Sequence, residues 1–128
     1  MKKLFAFLLG FLGLTVCANA QTDSIRTVDA PHFAEMIRSD TAFLVDVRTA
    51  EEYGDGHIDH AVNIDVLKPD FKDKSKSLPK GKFIAVYCRS GKRSLRAAHI
   101  LAKEGYRVIN LRGGWMEWEE YAQKQNIR

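Results

Sequence analysis

The chain has 128 residues, with 20 Lys and Arg against 16 Asp and Glu, a net charge of +4, and 2 cysteines. This length holds one hydrophobic core and not two. So mild a positive balance, half of it from Lys2 and Lys3, gives no support to nucleic-acid binding.

Residues 1–20 follow a different logic from the remainder. Lys2 and Lys3 supply a basic start, residues 4–16 are apolar, and Ala18, Asn19 and Ala20 form a small-x-small cleavage site. This pattern predicts a secretory signal peptide over residues 1–20 and a mature domain over 21–128, delivered to the periplasm. A retained anchor is the weaker reading, because the apolar run falls well short of the roughly eighteen residues that span a bilayer. Stable membrane insertion after removal of the signal is therefore not expected. Lipidation at Cys17 is weakened by Val16, which stands where a small residue is wanted. With Cys17 gone, Cys88 is left alone in an oxidising compartment and has no internal disulfide partner. Such a thiol is either buried and inert or kept for its reactivity.

Along the mature chain, residues 25–28 predict a short strand. Asp29 follows as a helix N-cap, with Pro31 in the first turn and Val28 and Phe33 at the two positions of a hydrophobic staple. This helix should end near Ser39. The runs 43–47, 83–87 and 108–111 are apolar on both faces, as expected of central strands covered by helices on each side. Residues 61–64 give a weaker strand. Residues 68–82, with six lysines and two prolines, predict a solvated loop. Residues 94–104 predict a helix ending at Gly105, and Trp115, Trp118 and Tyr121 form the core-facing stripe of a last one. Strands alternating with helices indicate an α/β fold with a mostly parallel sheet.

The stretch Cys88, Arg89, Ser90, Gly91, Lys92, Arg93 and Ser94 lies between the end of a buried strand and the start of a helix. Ligands of open α/β sheets bind at the carboxyl ends of strands, and a helix N-terminus turns free N–H groups and partial positive charge toward that place. The helix field, together with Arg89, Lys92 and Arg93, should favour thiolate over thiol at Cys88. Gly91 allows a tight turn in which successive N–H groups converge on the sulfur or on a bound oxyanion. On these grounds Cys88 is a nucleophile and not a structural cysteine, with an anionic sulfur expected inside a cradle of amides and guanidinium groups.

The segment 88–94 resembles the active-site loop of rhodanese-like sulfurtransferases. Asp46-Val47-Arg48, Glu51-Glu52-Tyr53 and Gly56-His57-Ile58 resemble the upstream signature of the same family, and Gly113-Gly114-Trp115 its C-terminal signature. The resemblance implies an open, mostly parallel sheet of about five short strands with helices on both faces. It implies a catalytic Cys88 that takes the outer sulfur of thiosulfate, releases sulfite, and holds a persulfide until a thiol or cyanide accepts the sulfur. Residues 89–94 would bind the donor, Arg89 and Arg93 by orienting the anion and the amides by stabilising the persulfide. No metal or cofactor is implied.

Phosphatases of this fold family place an arginine after five intervening residues, whereas four separate Cys88 from Arg93, so phosphate-ester hydrolysis is the poorer fit. A persulfide carrier or binding module with little turnover is the main alternative. A thiol oxidoreductase would ordinarily use a second nearby cysteine. Asp46 and Arg48 are expected to lock their turn by a salt bridge or cap, and His57 to brace a loop. His60 stands where the family usually has glycine, so either its turn differs or it accepts a strained backbone angle. Gly113 and Gly114 should make a tight turn beneath the loop.

Overall fold

The computed structural model describes residues 24–126. The expected signal peptide and Cys17 lie outside the described residues. Five strands, β1 (Ile25–Val28), β2 (Ala42–Asp46), β3 (Val62–Asn63), β4 (Phe83–Tyr87) and β5 (Arg107–Leu111), form one sheet in the order β1-β5-β4-β2-β3. Every pairing is parallel, with Val45 opposite Val86 and Asp46 opposite Tyr87 across β2 and β4. The α/β architecture expected from the sequence is therefore present, with β4 at the centre of the sheet.

Among the described residues, four helices connect successive strands, α1 (Ala30–Ile37), α2 (Ala50–Asp55), α3 (Phe71–Ser75) and α4 (Lys92–Lys103), and a fifth, α5 (Gly114–Gln125), follows β5. They divide between the two faces and create two core clusters. Ala97, Ala98 and Leu101 of α4 pack with Phe71 and Leu78 against Val45, Ile84, Val86 and Val108. Phe33 of α1 and Trp118 of α5 pack against Leu44, Ala85, Tyr87 and Ile109 on the other face. Alternate residues of β4 thus serve opposite cores, which accounts for its unbroken apolar sequence.

Local signals explain where the helices begin and stop. The Asp29 side chain accepts the His32 N–H at 3.2 Å, capping α1 as expected, and α1 closes at Arg38. Thr49 and Glu52 make a reciprocal capping box at the start of α2. Gly105, at φ +96°, follows the C-cap of α4.

The segment 68–82 departs from the expected solvated loop. It contains α3, which buries Phe71 and Ser75, while Leu78 just beyond enters the same core. The buried Tyr106 hydroxyl donates to the carbonyls of Ser75, at 2.7 Å, and Leu78, at 3.1 Å. Two isolated apolar residues among lysines suffice here because a distant tyrosine satisfies the backbone that their burial would otherwise orphan. His60 has φ +73°, so it adopts the strained angle. It is exposed, which leaves the imidazole free of any core clash.

Candidate active site

Cys88 is the first residue beyond β4, and α4 begins four residues later. Between them, Gly91 takes φ +102° and serves as the helix N-cap. A glycine cap has no side chain with which to occupy the first free amides of the helix, so these remain available to another acceptor. The Cys88 sulfur fills that role, accepting the Gly91 N–H at 3.1 Å. No other residue fits at 91. A Cβ there would lie 2.0 Å from the Arg112 carbonyl oxygen, at the junction of β5 and α5.

The start of α5 forms the floor of the loop. The Trp115 and Met116 N–H groups donate to the carbonyls of Cys88, at 2.7 Å, and Arg89, at 3.1 Å. With its carbonyls tied down on that side, the loop is free to direct amides toward the sulfur. The approach is close because Gly114, at φ +64°, has no side chain; a Cβ would stand 2.5 Å from the Arg89 carbonyl carbon and oxygen. This is the tight turn beneath the loop that the paired glycines predicted.

Burial, at 1% exposure, pushes the Cys88 thiol up. Hydrogen bonds from the Ser94 hydroxyl and from the amides of Ser94, Gly91 and Ser90 outweigh it, and the net shift is below the ordinary cysteine value. The Ser94 hydroxyl sits 3.2 Å from the Gly91 carbonyl. We therefore expect the rate of Cys88 alkylation by iodoacetamide to rise with pH around a midpoint below that of free cysteine, about 8.5. A midpoint at or above that of a model thiol would mean that burial wins over the cradle.

The guanidinium half of the expected cradle is arranged differently. Arg93 makes a two-pronged pair with Glu52, at 2.8 and 2.9 Å, and this pair holds the Glu52 carboxyl down at about 2. Arg89, Ser90 and Lys92 have exposed side chains. The leading contributors to the acidity of the sulfur are Ser94 and backbone amides, with the arginines outside that group. Of the loop residues singled out from sequence, Gly91 and Ser94 are brought with Cys88 into one buried cluster.

The neighbouring strand end is structural, as its residues suggested. Arg48 bonds the Asp46 carboxylate through Nε and at 2.7 Å through a terminal nitrogen, donates to the Gly56 carbonyl at 2.6 Å, and packs 5.0 Å from the Trp115 ring centroid. His57 stacks on Tyr53 with ring centroids 3.7 Å apart, and its Nδ1 lies 2.9 Å from the Tyr53 carbonyl. These contacts connect α2 and its following turn to α5, the floor of the loop. Sequence reasoning missed the Glu52–Arg93 link, because 41 residues separate the partners and Glu52 already had a local role as a cap. Among the described residues, no group of three or more His, Cys, Asp or Glu could hold a metal ion.

A buried cysteine at a strand-to-helix turn, its sulfur held by an amide and its acidity raised, is an arrangement suited to covalent chemistry at cysteine. The sequence profile of the rhodanese-like domain matches residues 29–121, and the chain belongs to that family. It is 34% identical over 103 residues to the YtwF protein of Bacillus subtilis, covering 80% of this chain and 98% of that one. It is 33% identical over 100 residues to a sulfurtransferase of Allochromatium vinosum, covering 76% and 91% respectively. Among solved structures, the human single-domain sulfurtransferase TSTD1 superposes with a TM-score of 0.61 at 30% identity, over 73% of this chain and 95% of that one. A rhodanese-related protein of Thermoplasma volcanium superposes with a TM-score of 0.68, also at 30% identity, over 75% and 92%.

Proposed function

We propose that this chain is an exported thiosulfate sulfurtransferase that works through a persulfide on Cys88. The carrying observation is the sulfur itself, made acidic by the Ser94 hydroxyl and by amides, one of them 3.1 Å away, at the carboxyl end of the central strand. The Cys88 thiolate attacks the outer sulfur of thiosulfate. The new sulfur–sulfur bond forms as the old one breaks, and sulfite leaves with the bonding pair. A thiolate or cyanide then attacks the outer sulfur of the persulfide, and Cys88 departs as the thiolate that the cradle favours. Neither step changes the overall electron count, so no redox cofactor is needed. The same amides stabilise the anion at both ends of the cycle.

The 1% exposure of Cys88 supports a donor with a small terminal sulfur, able to enter the loop end-on. The sequence of residues 1–20 supports work in the periplasm. Among the described residues, no helix is long and apolar enough to cross a membrane.

Initial rates at varied thiosulfate and cyanide test the proposal. Parallel double-reciprocal lines, and a mass gain of one sulfur atom on Cys88 when cyanide is withheld, are the expected results. A persulfide that forms once without steady sulfite release would favour a carrier; no sulfite at all would remove thiosulfate as donor.

Glu52 offers a second expected result. Glu52→Gln keeps a side chain that can complete the capping box but removes the carboxylate that engages Arg93. The positive field of Arg93 then acts on the incoming dianion without an adjacent negative charge. KM for thiosulfate should fall about threefold with little change in kcat, the scale of one part-exposed ion pair. A rise in KM would mean that Glu52 holds Arg93 in its donor-binding pose. Acid removes the same charge, with an effect to be read on stability and not on turnover. The depressed Glu52 pKa makes its contribution to stability full above about 4.5, and that contribution drains away as the pH falls toward about 2.

A further inference from the structure

The modest net charge of the chain conceals a segregation of charge around the site. Arg89 and Lys92 stand exposed at the mouth of the loop, and Arg96 follows one turn along α4. Beyond it lies a cavity of about 300 Å³ between the α3 segment and α4, with Lys68, Lys72, Arg96 and Lys103 on its walls. Glu104 is the carboxylate of this groove, and it is engaged by Lys72 at 3.4 Å. Among the described residues, no ion pair engages Lys68, Arg96 or Lys103. The α5 side of the molecule has the opposite character, with Asp55, Asp59 and Glu119 around another cavity of about 330 Å³.

From this we infer that the groove between α3 and α4 docks an acidic segment of a protein that exchanges sulfur with Cys88. The inference rests on the sulfurtransferase reading and names its macromolecular partner class. Lys92 to Lys103 spans about 16 Å along the helix, the reach of roughly five extended residues. A short acidic stretch lying there therefore ends at the mouth of the loop, where its own or an adjoining cysteine meets the persulfide. Ile100, half-buried in the groove floor, offers an apolar contact between the charges. A concave groove with an apolar floor suits a protein segment better than it suits a flat membrane, and the acidic far side repels anionic sheets and polymers that would wrap the molecule.

The test uses the whole wild-type protein and a fluorescein-labelled peptide, Glu-Glu-Leu-Glu-Glu-Gly-Cys, beside its counterpart with Gln for every Glu. Fluorescence anisotropy at low salt, read on versions ending in Ser so that no chemistry intervenes, should show the acidic peptide binding about tenfold more tightly, with the gap closing as salt is added. Transfer of sulfur from loaded Cys88 to the cysteine peptides should show the same preference. Combined Lys68→Glu, Arg96→Glu and Lys103→Glu should abolish both preferences while transfer to dithiothreitol stays unchanged. Should that variant fail to fold, the single change Arg96→Gln should reduce the preference by a smaller, measurable factor. Equal binding of the two peptides, an unaffected charge-reversed protein, or tighter binding to phosphatidylglycerol vesicles or a DNA oligonucleotide would overturn the inference. Acidic-peptide binding without any transfer to dithiothreitol would uphold the docking groove and reject the sulfurtransferase reading.

Discussion

Cys88→Ser should reduce sulfite release from thiosulfate to the level of the buffer blank, a loss on the order of 10⁴-fold. The cradle can lower a pKa but cannot create an anion from a serine hydroxyl at neutral pH, and oxygen forms no stable equivalent of the persulfide. The substitution is nearly isosteric and leaves the serine within reach of the same Gly91 N–H, so the fold should persist. Equal far-ultraviolet circular dichroism, with a thermal midpoint within a few degrees of wild type, separates loss of chemistry from loss of structure. Sulfite release at wild-type rates would show that another group receives the sulfur.

Gly91→Ala should be the most damaging substitution that leaves the sulfur in place. An L side chain at φ +102° carries a backbone cost of about 1–2 kcal/mol. The new methyl also meets the Arg112 carbonyl oxygen at 2.0 Å, backbone that a side-chain rotation cannot clear. Relief requires the loop to lift from the β5–α5 corner, and that movement withdraws the amide from Cys88. We expect urea denaturation to show a loss of about 2–4 kcal/mol, with the alkylation midpoint of Cys88 moving up toward an ordinary thiol and activity falling roughly 100-fold. Gly81→Ala is the control, since nothing lies within 4 Å of its added carbon and its φ is not in the left-handed range. Similar losses at both positions would assign the effect to glycine removal in general and not to the cradle.

The parts of this molecule that could be read from sequence are those fixed by contiguous residues. The strand at residues 83–87 declared itself because both its faces are buried, and Asp29 and Pro31 marked the first helix because caps act over three residues. The loop 88–94 was legible as a site for the same reason: nucleophile, turn glycine and helix start are adjacent in the chain. What escaped was decided across space. Arg93 was expected to face the donor, but its partner Glu52 comes from another helix. The sulfur was expected to owe its acidity jointly to helix-end amides and to guanidinium groups; the amides and the Ser94 hydroxyl lead, a division that residue identities do not display. In the lysine-rich stretch, α3 was hidden because its five residues carry one large apolar side chain, Phe71, and the burial of Ser75 and Leu78 is supported by Tyr106 some thirty residues later.

In the proposed cycle, the depth of Cys88 sets the two half-reactions apart. With 1% of the residue open to solvent, the unloaded sulfur is withheld from bulky thiols and bulky oxidants. Loading adds an atom about 2.05 Å farther out, so only the charged form carries its cargo at the rim. In that cycle slender donors fill the site, broad acceptors empty it, and reach helps to set the order of events.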